Sequence, residues 1–173
     1  GSFTASAFVP YTTKAVTGTA DGDLVIWDHV GISDVAPSAT DRKAVKILRI
    51  HYSAITFLRA HDKFIVSGGM DGYVRFFDSK FRLEAWFEEH ESGSVSSISF
   101  GAKTGVEHKT IDGPHQSSLP DFIVASKSPP LITSLSGSSF YSSTTEGKAG
   151  KQLLNGLESL SALVAHPSMP HFA

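Results

Sequence analysis

The chain has 173 residues, 40% of them hydrophobic and 18% charged, and its 15 Lys and Arg against 17 Asp and Glu leave a formal net charge of −2. That length and apolar content suit a folded domain with a sizeable core and exclude a disordered chain, while scattered basic residues and a pI near 6.5 supply no field for nucleic acid or a membrane surface. The lack of cysteine excludes disulfides and thiolate metal sites and fits a reducing compartment; with no apolar run near the roughly 20 residues of a membrane span and no visible signal peptide, the expected location is intracellular.

The first strand-like run is SAFVP at 6–10. AVTGTADGDLVIWD at 15–28 then reads as a hairpin: an apolar run ending on a small residue, an Asp21-Gly22 turn, and a second apolar run closed by Trp27-Asp28. Asp-Gly signals a tight turn because Gly accepts positive φ without steric cost. Leu24, Val25, Ile26 and Trp27 follow one another without a polar break, so both faces of their sheet must be covered. Fifty residues on, IVSGGMDGYVRFFD at 65–78 repeats the unit. Val16 matches Val66, Gly18 matches Gly68, Asp21 matches Asp71, Gly22 matches Gly72, Asp28 matches Asp78, and Trp27 is matched by the aromatic Phe77. Val45–Ile50 and Ile55–Ala60 precede this second hairpin and read as the opening strands of its unit. A third, degenerate copy takes in Leu83–Phe87, Val95–Phe100, FIVAS at 122–126 and LITSL at 131–135, with Pro129-Pro130 where Asp-Gly should be and Ser136 in place of the closing Asp. A fourth begins at LSALVAHPSMPHFA. Gly31–Arg42, Gly101–Asp121 and Ser136–Lys151 read as connections or insertions, of a length that more often serves function than framework. Repeats of this period imply a solenoid or a propeller, and no helix is needed.

These residues resemble the WD40 repeat: Trp27-Asp28 is that family's closing dipeptide and Phe77-Asp78 its aromatic substitute. The resemblance implies an all-β fold, a WD40-type β-propeller in which each four-stranded sheet is sandwiched between neighbours. The chain then holds about three blades of a larger propeller, seven-bladed or tandem: blade I with strands in 4–28, blade II in 45–78, blade III in 83–135 with an insertion at 101–121, and the start of blade IV in 151–173. Residues 54–100 further resemble the cilia- and flagella-associated WD-repeat proteins, in the short turn before FIVSGG, the Phe-Phe-Asp closure, the aromatic strand around Trp86-Phe87, and SISF leading into a degenerate blade. This implies a non-catalytic scaffold of the axoneme at the base of a radial spoke, helping couple spokes and dynein arms to the doublet microtubule. Its expected partners are other proteins, namely radial-spoke or doublet microtubule components. Echinoderm-type microtubule-associated proteins, which have comparable Ser-Gly-Gly hairpins, and WD40 substrate receptors or adaptors of other complexes stay open as alternatives.

Motifs for chemistry fail on inspection. Asp21-Gly22-Asp23 opens like a calcium loop but lacks the third ligand and closing Glu, which leaves a hairpin turn. Gly147, Gly150 and Lys151 resemble a phosphate loop, yet Thr145 stands in place of its first Gly and Gln152 in place of its Ser or Thr. His108 and His115, with Glu107 and Asp112, sit in a turn-prone insertion with no helix to set their facing. No nucleophile elbow occurs. The expectation is no catalytic residue, no cofactor, no metal and no small-molecule substrate.

His51 and His90 stand where WD40 blades carry the His of a Gly-His pair, though Ile50 and Glu89 replace the Gly. In the family that His bonds a turn Asp and a strand hydroxyl, so the resemblance suggests a fold-stabilising network of His51, Asp62 and Thr56, effective only if every member is satisfied. Asp23, Asp62 and His51 are expected to lie in separate turns. Trp86 and Phe87 read first as outer-strand aromatics packed on their sheet and second as interface anchors. Tyr52 and Arg59 are weaker interface candidates.

Overall fold

The two Asp-Gly hairpins close as their residues dictate. Gly22 and Gly72 take φ of 90° and 81°, backbone that glycine adopts without strain. Each turn folds one strand back on the next: Ala15–Thr19 (β2) on Asp23–Trp27 (β3), and Phe64–Gly69 (β6) on Tyr73–Phe77 (β7). The computed structural model describes residues 1–28, 44–88, 93–101, 119–137 and 150–164. Its other strands are Phe3–Phe8 (β1), Ala44–Arg49 (β4), Ile55–His61 (β5), Leu83–Glu88 (β8), Ser94–Phe100 (β9), Phe122–Lys127 (β10), Leu131–Leu135 (β11) and Lys151–Leu154 (β12). They form three four-stranded antiparallel sheets, each ordered as its strands occur in the chain: β1 to β4, β5 to β8, β9 to β12.

The sheets divide the sequence one strand out of phase with the expected blades. Ala44–Arg49, expected to open blade II, pairs with β3 and completes the first sheet. Leu83–Glu88 completes the second sheet on β7 instead of opening blade III, and Lys151–Leu154 is the fourth strand of the third sheet, not the start of blade IV. The reason is hydrogen bonding: the second strand of each hairpin leaves one edge of N–H and C=O groups unpaired, and the next extended run satisfies it.

The sheets stack face to face, with their first strands β1, β5 and β9 adjacent. Two equivalent glycines set the approach. A Cβ on Gly18 would lie 2.7 Å from Ile55 Cγ2, and one on Gly68 would lie 2.6 Å from Val95 Cγ1. Around these contacts Val16, Leu24 and Ile26 of the first sheet meet Leu58, Ile65 and Phe77 of the second, while Val66, Val74 and Phe76 meet Ile98, Phe122 and Val124 of the third. Phe76 and Phe122 have ring centroids 5.1 Å apart. The far face of the third sheet is covered by the segment after β12, where Leu157, Leu160 and Leu163 pack on Ala125 and Ile132 and the Ser97 hydroxyl donates to the Leu163 carbonyl at 3.1 Å. On the far face of the first sheet Phe3, Phe8 and Ile47 are 59%, 67% and 62% exposed.

Each first strand carries a bulge at the same place, where Thr4, Thr56 and Ser96 are left out of the pairing register. A bulged residue lacks a ladder partner, and two of these hydroxyls act on nearby carbonyls instead. Ser96 donates to the Ala125 carbonyl at 3.1 Å, and Thr56 to that of Val95 at 2.5 Å, across to the third sheet.

The connection between the first two sheets, residues 50–54, lies directly on the first hairpin turn. Ile50 and His51 amides both donate to the Gly22 carbonyl at 3.1 Å, and a Cβ on Gly22 would overlap the His51 carbonyl oxygen. Gly22→Ala should therefore cost about 1–3 kcal/mol, read as a lower urea midpoint at unchanged slope. An unchanged midpoint would show that the connection does not sit on that turn.

Candidate functional site

The same connection carries a buried imidazole. His51 is 2% exposed, with Nδ1 at 2.9 and 3.1 Å from the two Asp71 oxygens and Nε2 at 2.8 Å from Ser67 Oγ. An ionised carboxylate only accepts, so the Nδ1 hydrogen belongs to Asp71. Asp71 also accepts the backbone amides of Tyr52 at 2.9 Å and Tyr73 at 3.2 Å. The Arg75 guanidinium stands 3.8 Å from it, donates to the Ile50 carbonyl, and lies 4.5 Å over the Tyr73 ring. Burial pushes the Asp71 carboxyl up, but the bond from His51 and the two amides outweigh it and hold the group below its ordinary value of 3.8. Gly69 leaves room for this cluster, since a Cβ there would stand 2.5 Å from His51 Nδ1.

The network differs from the expected His51, Asp62, Thr56 set. Asp62 sits at φ 53° in the turn between β5 and β6, at the far end of the second sheet. The length of β5, at about 3.3 Å per residue, carries it about 20 Å from His51. Thr56 is occupied at its bulge. The acid is Asp71 of the Asp-Gly turn and the hydroxyl is Ser67, two places before Gly69 on β6. The first sheet holds the other half of the arrangement: Trp27 Nε1 donates to Thr17 Oγ1 at 3.0 Å. Thr17 matches Ser67, but Phe77, the counterpart of Trp27, has no N–H to give. In the third hairpin Pro129 takes the place of the acid.

The remaining repeat residues hold turns. Asp28 receives Lys14 Nζ at 2.6 Å. Asp78 accepts the amides of Lys80 and Arg82, each at 2.9 Å, and the Arg82 side chain at 2.7 Å, which closes the turn into β8. Burial pushes the Asp78 carboxyl up, and the Arg82 amide, the Arg82 guanidinium and the Lys80 amide together bring it below its ordinary value. Asp21 is exposed at its turn. His90, His108, His115, Glu107, Asp112, Gly147 and His166 lie outside the described residues. Among the described residues no three His, Asp or Glu side chains are grouped to hold a metal.

Beside the network a crevice of about 210 Å³ opens between the first two sheets, lined by Arg49, Ile50, His51, Tyr52, Arg75, Phe77 and Leu83. Neither Asp23 nor Asp62 lines it; Asp23 Oδ1 binds Arg49 Nε at 2.6 Å. Tyr52 is 80% exposed, its ring edge-on to Tyr73 at 6.1 Å. Alternation along β8 separates Trp86 from Phe87, so the two do not both pack on their sheet as the sequence suggests. Phe87 is buried between the second and third sheets, whereas Trp86 lies 45% exposed on the opposite face, across the ladder from Arg75. Arg59 is exposed on β5.

Comparison with known proteins agrees with this geometry. The WD40 family (WD domain, G-beta repeat) matches residues 42–78. Cilia- and flagella-associated protein 251 of Chlamydomonas reinhardtii is 43% identical over 100% of this chain and 22% of its own length. The protein of that name from Tetrahymena thermophila is 28% identical over 97% of this chain and 19% of its own length. The chain thus spans about a fifth of these curated relatives. Among solved structures, the WD40 β-propeller domain of Doa1 superposes with a TM-score of 0.58 at 17% identity, covering 94% of this chain and 44% of that one, a likeness of fold alone.

His51→Ala should lower stability by about 2–4 kcal/mol, because it strands Ser67 and Asp71 without their central partner. Urea unfolding reads it, and a loss below about 0.5 kcal/mol, the range of ordinary surface changes, would contradict a structural role. The acid side follows from Asp71. Its folded-state pKa is depressed, so its contribution is complete above the ordinary value of 3.8 and disappears as pH falls through the lower folded-state value. The stability gap between the protein and Asp71→Asn should accordingly be constant near neutrality and shrink below pH 3.8. A gap independent of pH down to acid unfolding would refute the assignment.

Proposed function

We propose that this β-propeller chain, whose residues 42–78 match the WD40 repeat and all of which aligns with part of cilia- and flagella-associated protein 251, serves as a non-catalytic scaffold of the ciliary and flagellar axoneme. In this reading it docks other proteins at the base of a radial spoke on the doublet microtubule. The observation that carries the proposal is the 43% identity over the entire chain. The site's chemistry supports it: His51 has both ring nitrogens engaged and is 2% exposed, which suits a residue that stiffens a connection. A rigid stack of sheets with loops at its rim is suited to holding several proteins at once.

The far face of the first sheet belongs to the same reading. Thr17, Val25 and Trp27 there occupy the places that Ser67, Arg75 and Phe77 hold on the face that the second sheet turns to the first. A further blade of the same kind, seated on Phe3, Phe8 and Ile47, would cover that face as the first sheet covers the second.

Proximity labelling with the full-length protein in ciliated cells tests the proposal. Radial-spoke and doublet components should dominate the labelled set. A purely nuclear or ribosomal set would remove the axonemal role.

A further inference from the structure

We propose that the crevice between the first and second sheets is a docking site for an extended acidic–apolar segment of a partner protein, which inserts one apolar side chain and sets a neighbouring carboxylate on Arg49. The inference rests on the scaffold reading only in taking a protein as the ligand, and it names the chemistry of one contact.

The size of the crevice suits one side chain. At about 210 Å³ the space falls below the roughly 300–1,000 Å³ of small-molecule pockets and suits a single Leu- or Phe-sized group. The floor offers apolar contact from Ile50, Phe77 and Leu83, the last 47% exposed at the start of β8. Among the described residues two guanidinium groups and no carboxylate line the crevice, with Asp23 beside Arg49 and Asp71 beside Arg75. Arg75 is largely committed to the Ile50 carbonyl and the Tyr73 ring. Arg49 keeps more of its capacity: among the described residues its Nε meets Asp23, and the side chain is 61% exposed. The terminal nitrogens of a guanidinium form a fork that matches a carboxylate.

The wall is already in place before any partner arrives. Tyr52 is exposed, yet its amide is fixed on Asp71 and its ring rests on Tyr73, so little side-chain freedom is lost on contact. Tyr, Trp and Arg are the residues that dominate binding hot spots, and Trp86 extends the surface on the Arg75 side. The opening runs from the end of β4 to the start of β8, the outermost strands of their sheets among the described residues, where an extended segment can lie along a strand edge.

A phage-displayed random-peptide library panned on the full-length protein tests this. Retained peptides should carry an apolar residue beside Asp or Glu. Arg49→Glu should weaken their binding about tenfold or more, and Leu83→Glu should do so independently, which guards against a folding defect at the Arg49–Asp23 pair; circular dichroism confirms the fold of each variant. Peptides that are basic or uncharged, peptides that bind both variants as well as the parent, or no retained peptide at all would overturn the proposal. Self-association of the full-length protein abolished by the same substitutions would overturn it in favour of a second copy as occupant. The outcomes are separable from those of the function test, because acidic peptides can bind here whatever the cellular neighbours, and axonemal neighbours can be reached through other surfaces.

Discussion

The contact on which this architecture depends is a β-branched side chain of one sheet set against a glycine of the previous one. Ile55 meets Gly18 and Val95 meets Gly68, at matched places in successive sheets. Protein interiors are packed too densely to admit another carbon at such a spot, so any larger residue would push the first strands apart. Contact between sheets concentrates at β1, β5 and β9, and this ties each sheet to the next along its first strand. The chain must then travel from the last strand of one sheet to the first strand of the next. That path runs over a hairpin turn, and it is why the 50–54 connection, the Gly22 turn and the buried His51 occur together.

The polar network follows from that path. A connection crossing the rim of two sheets has backbone groups and a turn carboxylate to satisfy, and His51 meets them by bonding Asp71 and Ser67 at once. Such a closed network stiffens the rim because each member is saturated. It also makes the imidazole unfit for acid–base work, which requires a nitrogen within reach of a substrate proton. Rigidity is inherited by the neighbouring surface. Tyr52, Arg75 and Tyr73 are all held by the same residues, and the crevice they border is a by-product of the joint between sheets.

Much of this was legible in the residues. The paired hairpins, the glycine turns and the matched Gly18 and Gly68 could be read because each has a local cause: a φ value, a strand period or a repeated position. Sheet membership could not, since nothing in Ala44–Arg49 or Leu83–Glu88 marks which neighbour supplies the missing hydrogen bonds. The partner of His51 is hidden in the sequence for a related reason. Asp62 and Asp71 are both turn acids, and only the direction of β5 decides which of them returns to the imidazole. The bulges at Thr4, Thr56 and Ser96 are marked in the sequence by a Thr or Ser directly after the first apolar residue of each first strand. Trp86 and Phe87 show the limit of reading an aromatic pair: on a strand, adjacent residues face opposite ways, so one entered the core and the other faces solvent.

The central claim, that glycine and β-branched side chains fix the stacking of the sheets, is tested most directly by a double-mutant cycle on the second joint. Unfolding free energies would be measured for the protein, for Gly68→Ala, for Val95→Ala and for the pair. Stacking through this contact predicts that Gly68→Ala is costly beside Val95 and at least about 1 kcal/mol less costly once Val95→Ala has removed the facing methyl groups, a coupling typical of touching residues. Additive effects within about 0.3 kcal/mol, as found for distant sites, would contradict it.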